Sequence, residues 1–285
     1  MGDFSKINDL LRLPVNIAVL PYMRDHVFQG NPVFPAVESM QLLAVTVQKS
    51  FPDLDVMNLT AVAFDKFLVL PPREEILEAG VDIEKIPDGG VRTKLITRMR
   101  LGTSGMTRIK EHARVCFFPR QKSSEVSDVP VAQKITPEMA VPPDRVYREL
   151  VPFGPAYQNL SGRVGLSHAA AIAEISAPKL PSTGGPLGSS FVLDAAFHVA
   201  CVWGQRYSGF IGFPVGFDSR IVMKATKTGG KYRAHLCPVS TGSNENVYNL
   251  WIYGPDNGIF EIVKGLRMRD VSGGRMKPPG WIRKD

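Results

Sequence analysis

The sequence predicts an α+β fold in which two antiparallel sheets each wrap around one central helix. Three observations carry this expectation. Two long apolar segments at helical spacing lie far apart in the chain, residues 36–50 and 189–207. Each is accompanied by strand-like runs separated by Gly- and Pro-bearing turns, as short antiparallel connections require. A polar, Pro-bearing stretch, "QKSSEVSDVPVAQKITPEMAVPP" (121–143), divides the chain between them and reads as a linker. The expected division is therefore 1–135 and 136–285, one helix-wrapping sheet in each half.

At 285 residues the chain can bury a sizeable core. Its 44% hydrophobic and 21% charged residues fit a soluble globular protein, since no stretch reaches membrane-spanning length. The formal charge of +7 favours an acidic partner, but no dense Lys/Arg block points to nucleic acid. Cys116, Cys201 and Cys237 are odd in number and scattered, with no metal-ligand spacing, so a reducing cytoplasm is expected. No G-x-S-x-G elbow is present, which weighs against a serine thioesterase. The loop "STGGPLGSS" lacks the strand and GK[ST] helix setting of a phosphate loop.

In chain order, the apolar run "NIAVL" precedes the turn "DHVFQGNPVFPAVES", where Pro35 suits a helix start. In the following helix Val37, Met40, Ala44 and Val47 keep helical spacing, and Leu42, Leu43 and Val45 make it apolar nearly all round. Such a helix is covered by its neighbours. Strands are expected in "VMNLTAVAFDKFLVL", "VRTKLITRMRL" and "MTRIKEHARVCFF". The arginines of "TRMRLGTSGMTRIK" read as a solvated strand face. In the second half "SGRVGLSHAAAIAEISA" reads as strands, and Ser189 or Ser190 as the N-cap of the second helix. Four more strands are expected at about 219–226, 231–238, 246–254 and 258–269. His112, His168 and His235 fall in strand-like runs and are given no role.

Chemistry concentrates at two places. Between Phe191 and Trp203 only Asp194 and His198 offer a carboxyl or an imidazole, and their four-residue spacing puts both on one helix face. Asp194 lies past the first turn, so capping does not explain it, and a buried carboxyl needs a partner or a proton. The second place is His26, ahead of Gly30 and the helix opening near Pro35. That helix end offers unpaired N–H groups that can polarise a thioester carbonyl while a nearby histidine removes the adjacent proton. A carboxylic acid raised in pKa by apolar surroundings could protonate a leaving hydroxyl.

"HVFQGNPVFP" has the form H-x-x-x-G-x-x-x-x-P, and "DAAFH" the form D-x-x-x-[Q/H]. In this order and at this separation they resemble the double-hotdog dehydratase domains of polyketide synthases and related fatty acid synthases. "VPFGPAYQNL" is similar to a third segment of that family, Y-G-P-x-F. It retains Gly154 and Pro155, but Phe153 stands for the tyrosine and Tyr157 for the phenylalanine. "GFPVGFDSR" is similar to a fourth, L-P-x-S-W, of which Pro214 and an aromatic, Phe217, remain. The resemblance implies dehydration of a 3-hydroxyacyl thioester to a 2-enoyl thioester. It makes His26 the base, Asp194 the acid and His198 the holder of its carboxyl. Backbone near Gly30 would bind the thioester oxygen and Pro35 would shape the turn. It further implies an acyl group carried on the phosphopantetheine of an acyl carrier protein, contacts with other synthase domains, a possible homodimer, and no metal or bound organic cofactor. Two alternatives stand beside it: a non-catalytic acyl-binding or scaffold module, and an enoyl isomerase or hydratase using the same site.

Overall fold

The computed structural model describes residues 10–101, 106–120, 136–180 and 185–283. The first half contains β1 (Leu10–Ala18), a tight hairpin of β2 (Val27–Phe28) and β3 (Asn31–Pro32), and helix α1 (Ala36–Ser50). It continues with β4 (Leu54–Phe64), β5 (Ile76–Lys85), β6 (Val91–Leu101) and β7 (Met106–Pro119). The second half opens with β8 (Met139–Val141), a helical turn α2 (Pro143–Arg145), β9 (Val164–Leu166) and β10 (Ala171–Ser176). Helix α3 (Ser190–Tyr207) follows, then β11 (Phe213–Val222), β12 (Lys231–Thr241), β13 (Glu245–Tyr253) and β14 (Ile259–Arg269).

The two expected sheets are fused. One twelve-stranded sheet runs in the order β1-β5-β6-β7-β4-β11-β14-β13-β12-β10-β9-β8, and the halves meet where β4 pairs antiparallel with β11. Each half of this sheet curls around its own helix. Met40, Leu43, Ala44 and Val47 of α1 are completely buried, and α3 is buried from Ser190 to Gln205. Each such Leu, Val or Phe side chain contributes about 1.5–3 kcal/mol on leaving water. That burial explains why both segments are apolar nearly all round.

Polar groups tie the helices across the junction. Glu38 Oε1 on α1 accepts from the Ser190 hydroxyl of α3 at 2.6 Å and from the Tyr22 hydroxyl at 3.1 Å. Gln41 Nε2 donates to the Gly188 carbonyl, and its Oε1 accepts from Leu187 N. The capping expectation holds in position but not in bonding. Ser189 occupies the N-cap of α3, but neither its hydroxyl nor that of Ser190 caps the helix. The Ser190 hydroxyl is committed to Glu38 instead.

Several strand boundaries also differ. β4 ends at Phe64: Asp65 N makes a last bond to His112 O of β7, and the chain then turns to other segments, with Phe34 N bonded to Leu68 O and Leu70 N to Pro32 O. β1 and β5 were not expected in full; Pro14 and Asn16 interrupt the first pattern, and Gly80 and acidic residues the second. β11 begins at Phe213 rather than 219. His168 lies in the turn between β9 and β10, not in a strand. The expected linker lies outside the described residues as far as 135, and its end forms β8. Among the described residues no helix is long and apolar enough to cross a membrane.

The seam between halves is tight. Gly216 of β11 has φ +148°, and a Cβ there would come within 2.2 Å of the Val62 carbonyl of β4. On the facing strand, the ladder with β7 is broken by a bulge between Thr60 and Ala63, with Ala61 at φ +48°. Gly216→Ala is expected to cost about 2–4 kcal/mol, because a strained φ and a backbone clash coincide. Thermal or urea unfolding reads this directly; an unchanged midpoint would contradict it.

Candidate active site

His26 follows the 3-10 turn Pro21–Asp25, started by a proline with preset φ. Its N–H bonds Met23 O at 3.2 Å and its carbonyl accepts from Val33 N at 2.9 Å, so the backbone is held on both sides. From the other half, α3 brings Asp194, and one turn later His198. His26 Nε2 lies 3.6 Å from Asp194 Oδ1, and His198 Nε2 lies 2.9 Å from Asp194 Oδ2. Asp194 and His198 are buried, and His26 nearly so. The carboxyl thus sits between two imidazoles contributed by different halves of the chain.

The electrostatics correct one expectation. Burial pushes the Asp194 carboxyl up, as apolar surroundings should. Charge and hydrogen bonding from His198, with a smaller part from His26, outweigh burial and hold the group well below the ordinary carboxylate range. The acid is therefore not raised while both imidazoles lie beside it. Tyr147 extends the cluster, and sequence reasoning missed it. Its hydroxyl accepts from Leu160 N at 2.9 Å and lies 3.4 Å from His198 Nδ1.

His26, Asp194 and His198 open on a cavity of about 770 Å³. Its walls are mostly apolar and strongly aromatic, with Phe28, Phe67, Phe153, Phe197 and Phe213 among them. Phe28, Phe67 and Phe213 also touch one another, although they come from three separate segments. Phe153 and Pro214, expected from the sequence, line the cavity. Tyr157 is buried behind the wall, edge-on to His26. Gly154 and Pro155 do not line it; they carry the chain past Asp25, with Gly154 N bonded to Asp25 O at 2.8 Å.

Pro35 is the buried N-cap of α1, and its carbonyl receives Glu38 N and Ser39 N. Gly30 is elsewhere. With Gln29 it forms the exposed two-residue turn of the β2–β3 hairpin, at φ +48° and +81°, and it does not line the cavity. The glycine serves a turn that needs two positive φ values. The helix end that does face the cavity is at Ala36. His112 lines the cavity too, but both ring nitrogens are engaged, with Thr97 Oγ1 at 2.8 Å and Lys66 O at 3.1 Å.

Residues 8–98 match the family model of the polyketide synthase dehydratase domain. No curated protein sequence matches the chain. Among solved structures, an inactive His-to-Phe mutant of the CurJ dehydratase, in complex with a compound, is 14% identical with a TM-score of 0.73, covering 93% of each chain. An inactive Asp-to-Asn mutant of the CurK dehydratase is 15% identical, TM-score 0.72, covering 94% of this chain and 95% of that one. A trans-AT polyketide synthase dehydratase domain from Brevibacillus brevis is 15% identical, TM-score 0.71, covering 93% and 95%. The chain therefore has the double-hotdog fold of polyketide synthase dehydratase domains.

Cys201 also lines the cavity, but burial pushes its thiol up to about 11, against a smaller lowering by Gln205. A thiol raised in this way carries little thiolate at neutral pH, the form that acts as nucleophile. Iodoacetamide at pH 7.5 is expected to leave Cys201 unmodified in the native protein and to alkylate it in urea. Native alkylation at the rate of a free thiol, located by peptide mass spectrometry, would contradict this.

Proposed function

We propose that the chain acts as a dehydratase in polyketide assembly, removing water from a 3-hydroxyacyl thioester to leave a 2-enoyl thioester. One observation carries this reading: a histidine from one half and an aspartate from the other face each other at 3.6 Å on the wall of one apolar cavity. The likeness to polyketide synthase dehydratase domains supports the same reading. In two of those neighbours the inactive form replaces a histidine or an aspartate.

In this mechanism the acyl chain lies in the cavity with its α-carbon toward His26 and its β-hydroxyl toward Asp194. His26 Nε2 takes the α-proton, and the N-terminal end of α1 at Ala36 stabilises charge developing on the thioester oxygen. Asp194 gives a proton to the departing hydroxyl, which leaves as water. His198 steadies Oδ2 at 2.9 Å, so that Oδ1 is the oxygen offered to substrate. Substrate entering between His26 and Asp194 removes one of the contacts that lower the carboxyl. Burial, which pushes the carboxyl up, then gains weight and the acid form becomes accessible. Dehydration leaves the proton on His26 and Asp194 ionised, and across the 3.6 Å separation that proton passes back to Asp194 as the next substrate binds.

Proton transfers alone complete this cycle, and it asks for no metal or organic cofactor. The acyl group would arrive on the phosphopantetheine arm of an acyl carrier protein, and the formal charge of +7 suits an acidic carrier. Other synthase domains would supply the hydroxyacyl chain and take up the enoyl product.

Turnover of a 3-hydroxyacyl pantetheine thioester, followed by mass spectrometry as loss of water, tests the proposal. His26→Ala and Asp194→Asn are each expected to lower the rate by about 10²–10⁴-fold while the protein stays folded. Full turnover in either variant would overturn the assignment. Binding of acyl thioesters without turnover by the wild type would make the chain an acyl-binding module instead.

A further inference from the structure

We propose that Asp25 and the ring of Phe153 position the His26 imidazole, taking the place of the hydrogen bond that usually orients a catalytic histidine through its second ring nitrogen. The role of His26 as base rests on the function proposed above; the positioning itself rests on geometry.

A histidine that works as a base is ordinarily held at its other nitrogen by a carbonyl or carboxylate. His26 has no such hold. Its Nε2 faces Asp194, and its buried Nδ1 has no hydrogen-bond partner among the described residues. What touches the ring is aromatic. Phe153 stacks on its face, with centroids 4.4 Å apart and planes 28° apart. Tyr157 meets it nearly edge-on at 5.0 Å and 66°. Phe153 also reaches His198, at 5.2 Å, so one ring packs on both imidazoles that flank Asp194.

Phe153 and Tyr157 belong to one short segment, and Asp25 fastens that segment in place. The Asp25 carbonyl accepts from Gly154 N at 2.8 Å, and its carboxylate Oδ2 accepts from Ala156 N at 2.9 Å. Asp25 immediately precedes His26, so the residue that anchors the rings also carries the backbone of the base. The approach is close enough to require a glycine: a Cβ at 154 would stand 2.5 Å from Asp25 Cγ. Two hydrogen bonds from the second half are thus translated into ring contacts that set the angle of an imidazole from the first. A stacked ring resists tilting but supplies no acceptor, so orientation here depends on packing rather than on a directional bond.

The test pairs kinetics with a measurement that does not need turnover. Phe153→Leu keeps an apolar side chain while removing the ring, and Asp25→Ala removes the carboxylate clip. Each is expected to lower kcat by about 10–100-fold with KM within about threefold of wild type. Phe153→Tyr, which keeps a stackable ring, and Asp25→Asn, which keeps an acceptor oxygen, are expected to recover most of kcat. In protein carrying 15N-labelled histidine, the His26 ring resonances should be single and sharp in the wild type. They should be broadened or doubled in Phe153→Leu and Asp25→Ala, and restored in the two conservative variants. A wild type without dehydratase turnover would sink the proposed function, while the ring resonances would still decide the positioning. Unaltered His26 resonances in Phe153→Leu and Asp25→Ala, with both variants folded by thermal melt, would overturn it.

Discussion

The pairing of β4 with β11 governs what the rest of this molecule can do. Neither half holds both members of the proposed acid–base pair: His26 lies in the segment before α1, and Asp194 on α3. Joining the two curved sheets edge to edge, with the register Gly216 to Ala63 through Ile221 to Asn58, sets the two helices side by side. The contacts of Glu38 with Ser190 and of Gln41 with residues 187 and 188 then lock that alignment. A slip of one residue at the seam would turn every inward side chain outward. It would also part a histidine and an aspartate that now stand 3.6 Å apart.

Burying a carboxylate is costly, and this site meets the cost with imidazoles rather than with a fixed cation. An arginine would hold the charge permanently. Here two imidazoles flank it instead, at 3.6 Å and 2.9 Å from its two oxygens. The surrounding phenylalanines offer no hydrogen-bond partners that compete for the carboxyl. The same aromatic lining suits an apolar acyl chain, so one set of side chains shapes both the electrostatics and the space offered to substrate. By contrast, the buried Arg220–Glu261 pair, at 2.7 Å between β11 and β14, carries a fixed cation and stands apart from the cavity.

Much of this plan was legible in the sequence because it is written in local spacing. The apolar runs gave both helices, and the four-residue step from Asp194 to His198 put them on one face as expected. What local pattern could not carry is contact between distant segments. Tyr147 reaches His198 across 51 residues, and Asp25 reaches Ala156 across 131; neither has a signature in its own neighbourhood. Gly30 misled for a related reason: glycine before a helix can serve a ligand or a turn, and here the hairpin claims it. The direction of the Asp194 shift was also hidden, because the sequence revealed burial and one imidazole on the same helix but not how close His26 would come.

The central claim is that one bound acyl chain spans both halves of the chain, base at its α-carbon and acid at its β-oxygen. The most direct measurement is a crystal structure with a non-reactive amide analogue of a 3-hydroxyacyl pantetheine thioester. The account predicts the α-carbon beside His26 Nε2 and the β-hydroxyl within hydrogen-bond reach of Asp194 Oδ1, with the acyl chain along the phenylalanine-lined wall. An analogue bound outside the cavity, or bound with its hydroxyl toward His26 and its α-carbon toward Asp194, would contradict it.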